Sequence, residues 1–255
     1  MQNETAKLEV QGLFKQFGSA EGGSRPILHD VNVKIAAGEF VCIVGASGCG
    51  KTTLIRILDG LIPPSAGCVR INGAAVSTPG PDRGFVFQQD SLLPWRSVLD
   101  NVVFGLEVLK RPRDEQVSVA LDLIRLVGLA GHEKAYPHQL SGGMRQRVNL
   151  ARALAIDPDV LLMDEPFAAL DAQTREIMQR ELQNIWERKR KTVIFITHQI
   201  DEAIYLADRV LVLGGQPGTV RDDIRIPLER PRDLDIKRRA DFTALTERIW
   251  RLIQH

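Results

Sequence analysis

The sequence predicts an α/β protein built around a parallel sheet, and three observations support this class. Short continuous runs of apolar residues, as expected of buried strands, occur at 39–45, 160–164, 192–197 and 209–214. Stretches with helix-period apolar faces lie between them. A glycine-rich turn, GASGCGKT at 45–52, joins the first of these strands to the helix that follows. Strands and helices that alternate in this way are typical of a parallel sheet covered by helices.

The beginning of the chain predicts strands of a different kind. Residues 8–14 resemble a short strand, 17–26 a Gly/Ser-rich loop, and 27–35 a half-exposed strand with alternating apolar and polar residues. The helix after the glycine-rich turn cannot continue through Pro63-Pro64, because proline lacks the amide hydrogen that a helix interior needs. The segments GCVRING and RGFVFQ indicate two further strands.

The middle of the chain changes to helical character. From about Pro94 to Ile156, three segments carry apolar faces with a helical period and are separated by turns. We therefore predict one main domain at 1–230, with a helical subdomain of about 90–156 inserted between its strands.

Further helices are predicted nearer the end of the chain, at 171–189 and at about 199–207. Residues 231–255 are predicted to form a C-terminal helical extension that packs on the domain; a partner-binding helix is the alternative. The apolar positions that recur at helical spacing there are Phe242, Leu245, Ile249 and Ile253.

Composition and charge argue against several classes of protein. The 255 residues are 44% hydrophobic, which is ample for a core, and the formal net charge of +1 does not favour a nucleic-acid partner. No apolar run approaches the length of a membrane span, and the N-terminus lacks the apolar region of a signal peptide. Cys42, Cys49 and Cys68 match no zinc spacing, so we expect a reduced, cytosolic chain.

The turn GASGCGKT matches the phosphate-binding pattern G-x-x-x-x-G-K-[ST] and has the preceding strand and following helix that this pattern requires. Gly45, Gly48 and Gly50 allow backbone N–H groups to approach phosphate oxygens closely. The helix N-terminus adds partial positive charge, Lys51 can neutralise β and γ phosphates, and Thr52 can offer its hydroxyl to Mg²⁺. An ordinary turn is the alternative.

Acidic and imidazole groups follow two of the later strands. Asp164 ends the strand VLLMD, where a carboxylate can hold Mg²⁺ through water, and Glu165 comes next. Because side chains alternate along a strand, one carboxylate can face the metal while the other faces an attacking water. Taken alone, this pair would favour an ordinary solvated turn, and the catalytic interpretation depends on its combination with the phosphate loop. His198 is either a structural residue or a group that reaches the γ-phosphate.

Ser141, Gly142 and Gly143 precede the helical run MRQRVNLARALA. Serine is a common helix cap, whereas glycine is costly in a helix. The segment is therefore either a plain turn with a cap or an anion site at a helix N-terminus.

In chain order, the motifs GASGCGKT, FQQDSLLPW, LSGGMRQR, LLMDEP, AALD and ITH resemble those of the nucleotide-binding subunit of ATP-binding-cassette (ABC) transporters. The resemblance covers nearly the whole chain. It implies a P-loop NTPase with a RecA-like core, an antiparallel β subdomain and an inserted helical subdomain. ATP and Mg²⁺ are the implied cofactors, and ATP hydrolysis is the implied activity.

The resemblance also implies a role for each matching residue. Glu165 polarises the attacking water, His198 is the switch histidine, Lys51 binds phosphate, and Gln88 touches Mg²⁺ and reports to the membrane subunit. The implied nucleotide-binding residues are Gly45, Ala46, Ser47, Gly48, Cys49, Gly50, Lys51, Thr52, Thr53, Phe17, Ser141, Gly142, Gly143 and Asp171. The implied metal site comprises Thr52, Gln88 and Asp164.

Phe17 stands where the family places an aromatic ring that stacks on adenine, and Phe14 competes for that role. The chain departs from the usual family pattern at Gln199, which replaces an acidic residue, at Met144 in LSGGM, and at Ala168. None of these departures removes a group required for phosphoryl transfer.

The family's assembly implies partners. Two copies of the chain pair head to tail, with each ATP between the P-loop of one copy and the LSGGM segment of the other. Two transmembrane permease subunits contact the region from Gln88 to about Gly105, and a periplasmic solute-binding protein acts indirectly. The implied location is the cytoplasmic face of the inner membrane. No nucleic-acid partner is implied.

Longer stretches such as TPGPDRGFVFQ, SLLPWRSVLDNVVFGLE and THQIDEAIYLADRVLVL resemble the nitrate/sulfonate/taurine importer branch, which implies uptake of a small anion. The alternative is a non-transport ABC ATPase that acts on DNA or ribosomes.

Two features count against this alternative. The type that acts on chromosomes needs a long coiled coil, but no sustained heptad repeat lies between Lys51 and Ser141. The type that acts on ribosomes carries two cassettes, whereas this sequence contains one. A P-loop kinase or switch would not need LSGGM.

Overall fold

A computed structural model describes residues 6–18, 24–89 and 91–254 of the chain. The strands are β1 (Leu8–Gly18), β2 (Ser24–Ile35), β3 (Phe40–Gly45), β4 (Ala66–Ile71), β5 (Ala74–Ala75), β6 (Arg83–Val86), β7 (Val160–Asp164), β8 (Thr192–Ile196), β9 (Arg209–Gly214) and β10 (Thr219–Arg225). The helices are α1 (Lys51–Asp59), α2 (Val98–Val108), α3 (Arg113–Leu126), α4 (Gly142–Ala155), α5 (Ala172–Lys189), α6 (Ile200–Leu206) and α7 (Ala240–Gln254). They belong to two units, which are described separately: the first unit runs to residue 80 and resumes at 191, and the second unit is 81–190.

The first unit contains both kinds of strand that the sequence predicts. Strands β2, β1, β4 and β5 form an antiparallel sheet in that order. In the rest of the unit, β3 lies between β8 and β9 and is parallel to both, and β10 pairs antiparallel with β9. Every residue of β3 and β8 is buried, as expected of continuous apolar strands in a parallel sheet.

Two sequence-based expectations for the first unit need correction. The loop predicted at 17–26 is too long at both ends, because β1 continues to Gly18 and β2 begins at Ser24. Its central part, residues 19–23, lies outside the described residues. Strand β10 was not predicted, because only Ile224 of its seven residues is buried, and an edge strand with this many polar residues shows little apolar pattern.

The second unit consists of the parallel pair β6–β7 and helices α2 to α5. Helices α2, α3 and α4 pack against one another, and α4 also contacts β6 and α5. The helical stretch predicted at about 90–156 falls inside this unit. Its buried apolar side chains include Val102, Val103, Leu106, Ala120, Ile124, Val148 and Ala151.

A buried cation, Arg232, stabilises the segment that leads to α7. Arg232 is 4% exposed, and its guanidinium donates to the carbonyls of Ile204, Tyr205 and Ala207 at the C-terminal end of α6. It also donates to the carbonyl of Leu228. Burial lowers the pKa of Arg232 to about 10, so the side chain stays charged at neutral pH.

Helix α7 follows this segment and packs against α6 and β9. Phe242 and Ile249 are buried, while Leu245 and Ile253, the other two apolar positions of the predicted face, are partly exposed. Within the described ranges, none of the helices combines the length and apolar character needed to span a bilayer.

We expect Arg232→Met to lower the free energy of unfolding by roughly 2–4 kcal/mol, because four buried carbonyls lose their donor. Urea unfolding followed by circular dichroism would measure the change. Arg248→Ala is the matched control: Arg248 pairs with Asp222 at 2.9 Å but its side chain is 55% exposed, so we expect a change within about 0.5 kcal/mol. Equal effects of the two substitutions would contradict the capping role of Arg232.

Candidate functional site

The predicted phosphate loop lies between β3 and α1 in the first unit. Gly50 is the residue before α1 and has a φ of +99°, a left-handed conformation that strains other residues. A Cβ atom at Gly50 would also lie 2.8 Å from Cδ2 of Leu28 on β2. The loop therefore needs glycine here both for its turn and for its close approach to β2.

Lys51 is enclosed by this loop. It is 7% exposed, and its ammonium donates to the carbonyls of Gly45 at 2.8 Å and Ala46 at 3.0 Å. The other predicted loop residues differ in exposure: Ala46, Ser47, Gly48 and Thr52 are exposed, Thr53 and Gly50 are partly exposed, and Gly45 and Cys49 are buried. Burial raises the pKa of the Cys49 thiol, which keeps it neutral, so this residue serves packing rather than charge.

Strand register brings His198 to the same edge of the sheet as the phosphate loop. Ile43 of β3 pairs with Ile196 of β8, and both strands run in the same direction. Gly45 and His198 each follow two residues later, so both lie at the carboxyl edge of this strand pair. The His198 side chain is exposed. The Gln199 N–H donates to Thr197 Oγ1 at 3.0 Å, which stabilises the backbone turn around His198.

The two aromatic candidates for adenine stacking have different surroundings. Phe14 is partly buried, and its ring meets the ring of His29 edge-on at 5.9 Å. Phe17 is 41% exposed. Because stacking needs an accessible ring face, the structure favours Phe17 over Phe14 as the candidate.

The second unit brings together the predicted glutamine and carboxylates. Val86 of β6 pairs with Met163 of β7, and Gln88 and Glu165 each follow two residues later. Gln88 Nε2 donates to Glu165 Oε2 at 3.5 Å. Asp164, at the end of β7, is 6% exposed.

Glu165 has a left-handed backbone, with a φ of +46°. This conformation is uncommon for residues other than glycine and is often found at functional sites. It turns the chain sharply after β7, and the Glu165 carboxylate is partly exposed while the neighbouring Asp164 is buried. The two side chains thus differ in exposure, and the left-handed turn at Glu165, rather than strand alternation, separates them.

The LSGGM segment combines a cap with an open helix terminus. Ser141 is the N-cap of α4, and its hydroxyl accepts from the Met144 N–H at 3.3 Å. The two glycines are in different situations. Gly142 is exposed, and a Cβ there would make only ordinary contact, at 3.6 Å from Leu170. Gly143 is buried, and a Cβ there would lie 2.7 Å from Thr174.

Asp171 is the N-cap of α5, and its carboxylate accepts from the Thr174 N–H at 3.0 Å. This hydrogen bond lowers the pKa of Asp171. Arg175, which sequence reasoning missed, donates to the carbonyls of Leu170 at 2.6 Å and Phe167 at 3.3 Å. It therefore holds the turn that leads from Glu165 to Asp171. Both of these acceptors are backbone carbonyls, which leave no residue pattern in the sequence from which this role could be predicted.

A glycine-rich loop that encloses a lysine between a buried parallel strand and a helix is the structure of a P-loop NTPase. The family model for ABC transporters matches residues 28–168 of the chain. The chain therefore belongs to the ABC transporter family, in which it is an ATP-hydrolysing cassette.

Several relatives resemble the chain over most of its length. An uncharacterised ABC transporter ATP-binding protein of Methanocaldococcus jannaschii is 54% identical over 89% of this chain and 85% of its own. A taurine import ATP-binding protein of Rhizobium johnstonii is 48% identical over 97% and 96%. A nitrate import ATP-binding protein of Synechocystis is 45% identical over 97% and 95%.

A solved structure supports the same fold. It shows a dimeric ATP-binding cassette in a post-hydrolysis state, bound to ADP and inorganic phosphate. It is 33% identical, covers 87% of this chain and all of its own, and has a TM-score of 0.75. The predicted fold class, a P-loop ABC cassette, is thereby confirmed.

We expect Glu165→Gln to lower the rate of ATP hydrolysis about 100-fold or more, because an amide cannot accept the proton of the attacking water. The affinity for ATP should change little, because no phosphate contact is removed. Phosphate release and calorimetric ATP binding would measure the two effects. Glu176→Gln, an exposed residue on α5 of the same unit, is the control and should hydrolyse ATP at the unmodified rate. A Glu165→Gln variant with full activity would show that another group activates water.

Proposed function

We propose that this chain is the ATP-hydrolysing subunit of an importer for a small anion of the nitrate, sulfonate or taurine type. The observation that carries the catalytic part is the Gln88–Glu165 contact of 3.5 Å beside the buried Asp164. The names of two relatives, a taurine and a nitrate import ATP-binding protein, support the transport part.

The nucleotide is held, on this proposal, by the first unit. The exposed backbone of Ala46 to Gly48 and the N-terminus of α1 receive the phosphates, and the enclosed Lys51 neutralises the β and γ groups. Phe17 stacks on the adenine. Its open position on β1 supports this role.

The predicted metal ligands fit Mg²⁺ chemically. The Thr52 hydroxyl, the Gln88 amide oxygen and the Asp164 carboxylate are all oxygen donors, which Mg²⁺ prefers. Asp164 is 6% exposed, and such a carboxylate is most stable beside a cation or a hydrogen-bond donor. Bound Mg²⁺ would offset the charge that develops on the phosphates.

Hydrolysis requires a water molecule that is oriented and deprotonated. Glu165 accepts the proton of this water, and Gln88, which donates to the same carboxylate, keeps it oriented. His198 contacts the γ-phosphate and holds the reacting groups in line. The exposed position of His198, directly after a rigid buried strand, supports this role.

The LSGGM segment is proposed to act on the nucleotide of a second copy. Gly142 is exposed at the N-terminus of α4, where backbone N–H groups and the helix dipole favour an anion. The chain already has a complete phosphate loop for its own ATP. Solved structures of similar cassettes are dimeric, which supports a pair of copies. The head-to-tail arrangement, with a contribution from Asp171, is part of the proposal.

The segment 88–105 is proposed to contact the two permease subunits, and Trp95 is its most prominent feature. Trp95 is 72% exposed. Asn101 of α2 is 1% exposed and holds the turn that carries it: its side chain accepts from the Leu93 N–H and donates to the carbonyls of Leu93, Arg96 and Ser97. A large apolar side chain on a turn held this firmly is typical of a protein–protein contact.

In this assembly the chain lies at the cytoplasmic face of the inner membrane, held there by the permease subunits. The periplasmic solute-binding protein delivers the anion from the other side. Reconstitution with permease subunits from the same organism, followed by uptake of taurine, nitrate or another small anion, tests the proposal. If the reconstituted complex hydrolysed ATP but took up none of these anions, the proposal would be contradicted.

The sandwich arrangement predicts the behaviour of Gly142→Asp. A side chain can begin at this position, since a Cβ there would make only ordinary contact, with Cδ2 of Leu170 at 3.6 Å. The aspartate carboxylate would repel the γ-phosphate of the second copy, so hydrolysis should fall about 100-fold while ATP affinity stays within about twofold. Gly143→Asp is a poorer test, because contact with Thr174 would disturb the fold as well. A collapse of ATP affinity in Gly142→Asp would place the segment on the chain's own nucleotide.

The permease contact predicts a difference between two exposed tryptophans. Trp95→Ala should leave ATP hydrolysis by the isolated chain unchanged but lower permease-stimulated hydrolysis about tenfold or more, because a central aromatic anchor is lost. Trp250→Ala is the matched control: Trp250 is 54% exposed on α7, and its loss should leave the stimulation intact. Both variants would be assayed in proteoliposomes. If Trp250→Ala lost the stimulation and Trp95→Ala kept it, the permease contact would have to lie at α7.

A further inference from the structure

Strand β1 carries a buried cation whose two observed partners are both neutral. Lys15 is 8% exposed. Its ammonium donates to the carbonyl of Pro63 at 2.8 Å and lies 4.7 Å from the centre of the Phe17 ring. A lysine buried to this extent is costly unless its charge is used.

The Phe17 ring stands on the strand pair that borders the phosphate loop. In the β1–β2 register, Lys15 pairs with Leu28 and Phe17 pairs with Arg25. Leu28 in turn lies against Gly50 of the loop, where a Cβ would come within 2.8 Å of its Cδ2 atom. The ring therefore lies a few residues along the sheet from the loop that receives phosphates.

The β1–β2 register is irregular between Lys15 and Gln16, but the 4.7 Å contact itself shows that the Lys15 ammonium and the Phe17 ring lie on the same side of the strand. The ammonium occupies one face of the ring, and the ring is still 41% exposed. The hydrogen bond to Pro63 fixes the position of the ammonium, and the cation–π contact favours the ring orientation that faces it.

We propose that Lys15 is a positioning residue for the nucleotide base, which stacks on the ring face of Phe17 opposite the ammonium. This inference rests on the proposed function, since it concerns the same ATP. The ammonium draws electron density toward its own face, which lowers the repulsion between the other face and the π system of adenine. Holding the ring in place beforehand also removes an entropic cost of binding.

The proposal makes a distinction by ligand class. Stacking depends on the presence of a base and only weakly on which purine it is. Lys15 should therefore matter for ATP and GTP but not for tripolyphosphate, which presents the same phosphates without a base. A purely structural role, tying β1 to the segment after α1 through Pro63, would affect all three ligands alike.

The experiment compares the full chain with its Lys15→Met variant, using calorimetric titration with MgATP, MgGTP and magnesium tripolyphosphate. We expect the Kd for both nucleotides to rise about three- to tenfold, the range of a partly buried cation–π contact, and the Kd for tripolyphosphate to stay unchanged. An equal loss for tripolyphosphate would overturn the proposal, as would no loss for any ligand.

Phe17→Leu and the double variant complete the test. Once the ring is gone, Lys15→Met should have no further effect on ATP binding, so the two losses should not add. Additive losses would show that Lys15 acts without Phe17 and would overturn the proposal. Lys15→Arg keeps a cation over the ring and should restore most of the affinity. If the methionine variant unfolds, Lys15→Gln takes its place in the cycle, and Lys15→Arg remains the rescue variant with which it is compared.

Failure of this inference is distinguishable from failure of the proposed function. If the wild-type chain bound tripolyphosphate and ATP equally well, the proposed base site would be excluded, but the proposed phosphate site would still stand. A wild-type chain that binds neither ligand would overturn the proposed function itself.

Discussion

In each unit, the candidate catalytic groups depend on the register of one parallel strand pair. Ile43 pairs with Ile196 in the first unit, and Val86 pairs with Met163 in the second. In both cases the candidate residues, Gly45 with His198 and Gln88 with Glu165, follow two positions later, where the strands end and the backbone turns. Because buried strands are rigid, a shift of one residue in either pair would turn the following side chains to the opposite face of the sheet. Burial of every residue in β3, β7 and β8 makes such a shift costly.

Much of this arrangement could be predicted from the sequence, because its signals are local. The phosphate loop needs its glycines and lysine at a fixed spacing, and the strands before the loop and before Asp164 are continuous apolar runs. The rest depends on contacts distant in sequence. The choice between Phe17 and Phe14 depends on the ring of His29, and the left-handed backbone of Glu165 depends on how the chain leaves β7. No local pattern contains that information.

The LSGGM segment shows how one short motif can satisfy both interpretations that the sequence left open. The hydroxyl of Ser141 caps α4, which is a structural role complete in itself. Gly143 is required by packing, because Thr174 leaves no room for a side chain. Neither fact explains Gly142, which is exposed and has room for a Cβ at the first position of α4. Packing thus accounts for Gly143 but not for Gly142, and Gly142 is the residue that the proposed function places beside a phosphate.

Relatives named for different solutes resemble this chain about equally: the identities are 48% for taurine, 45% for nitrate and 44% for bicarbonate. This near equality has a physical reason on the proposed function. The chemistry of this chain concerns phosphate, base and water, and none of these changes with the transported anion. Trp95, held by the buried Asn101, is proposed to transmit the outcome of that chemistry to the permease. Selection among anions then depends on the surfaces that meet the solute, so the cassette is free to remain similar while the solute changes.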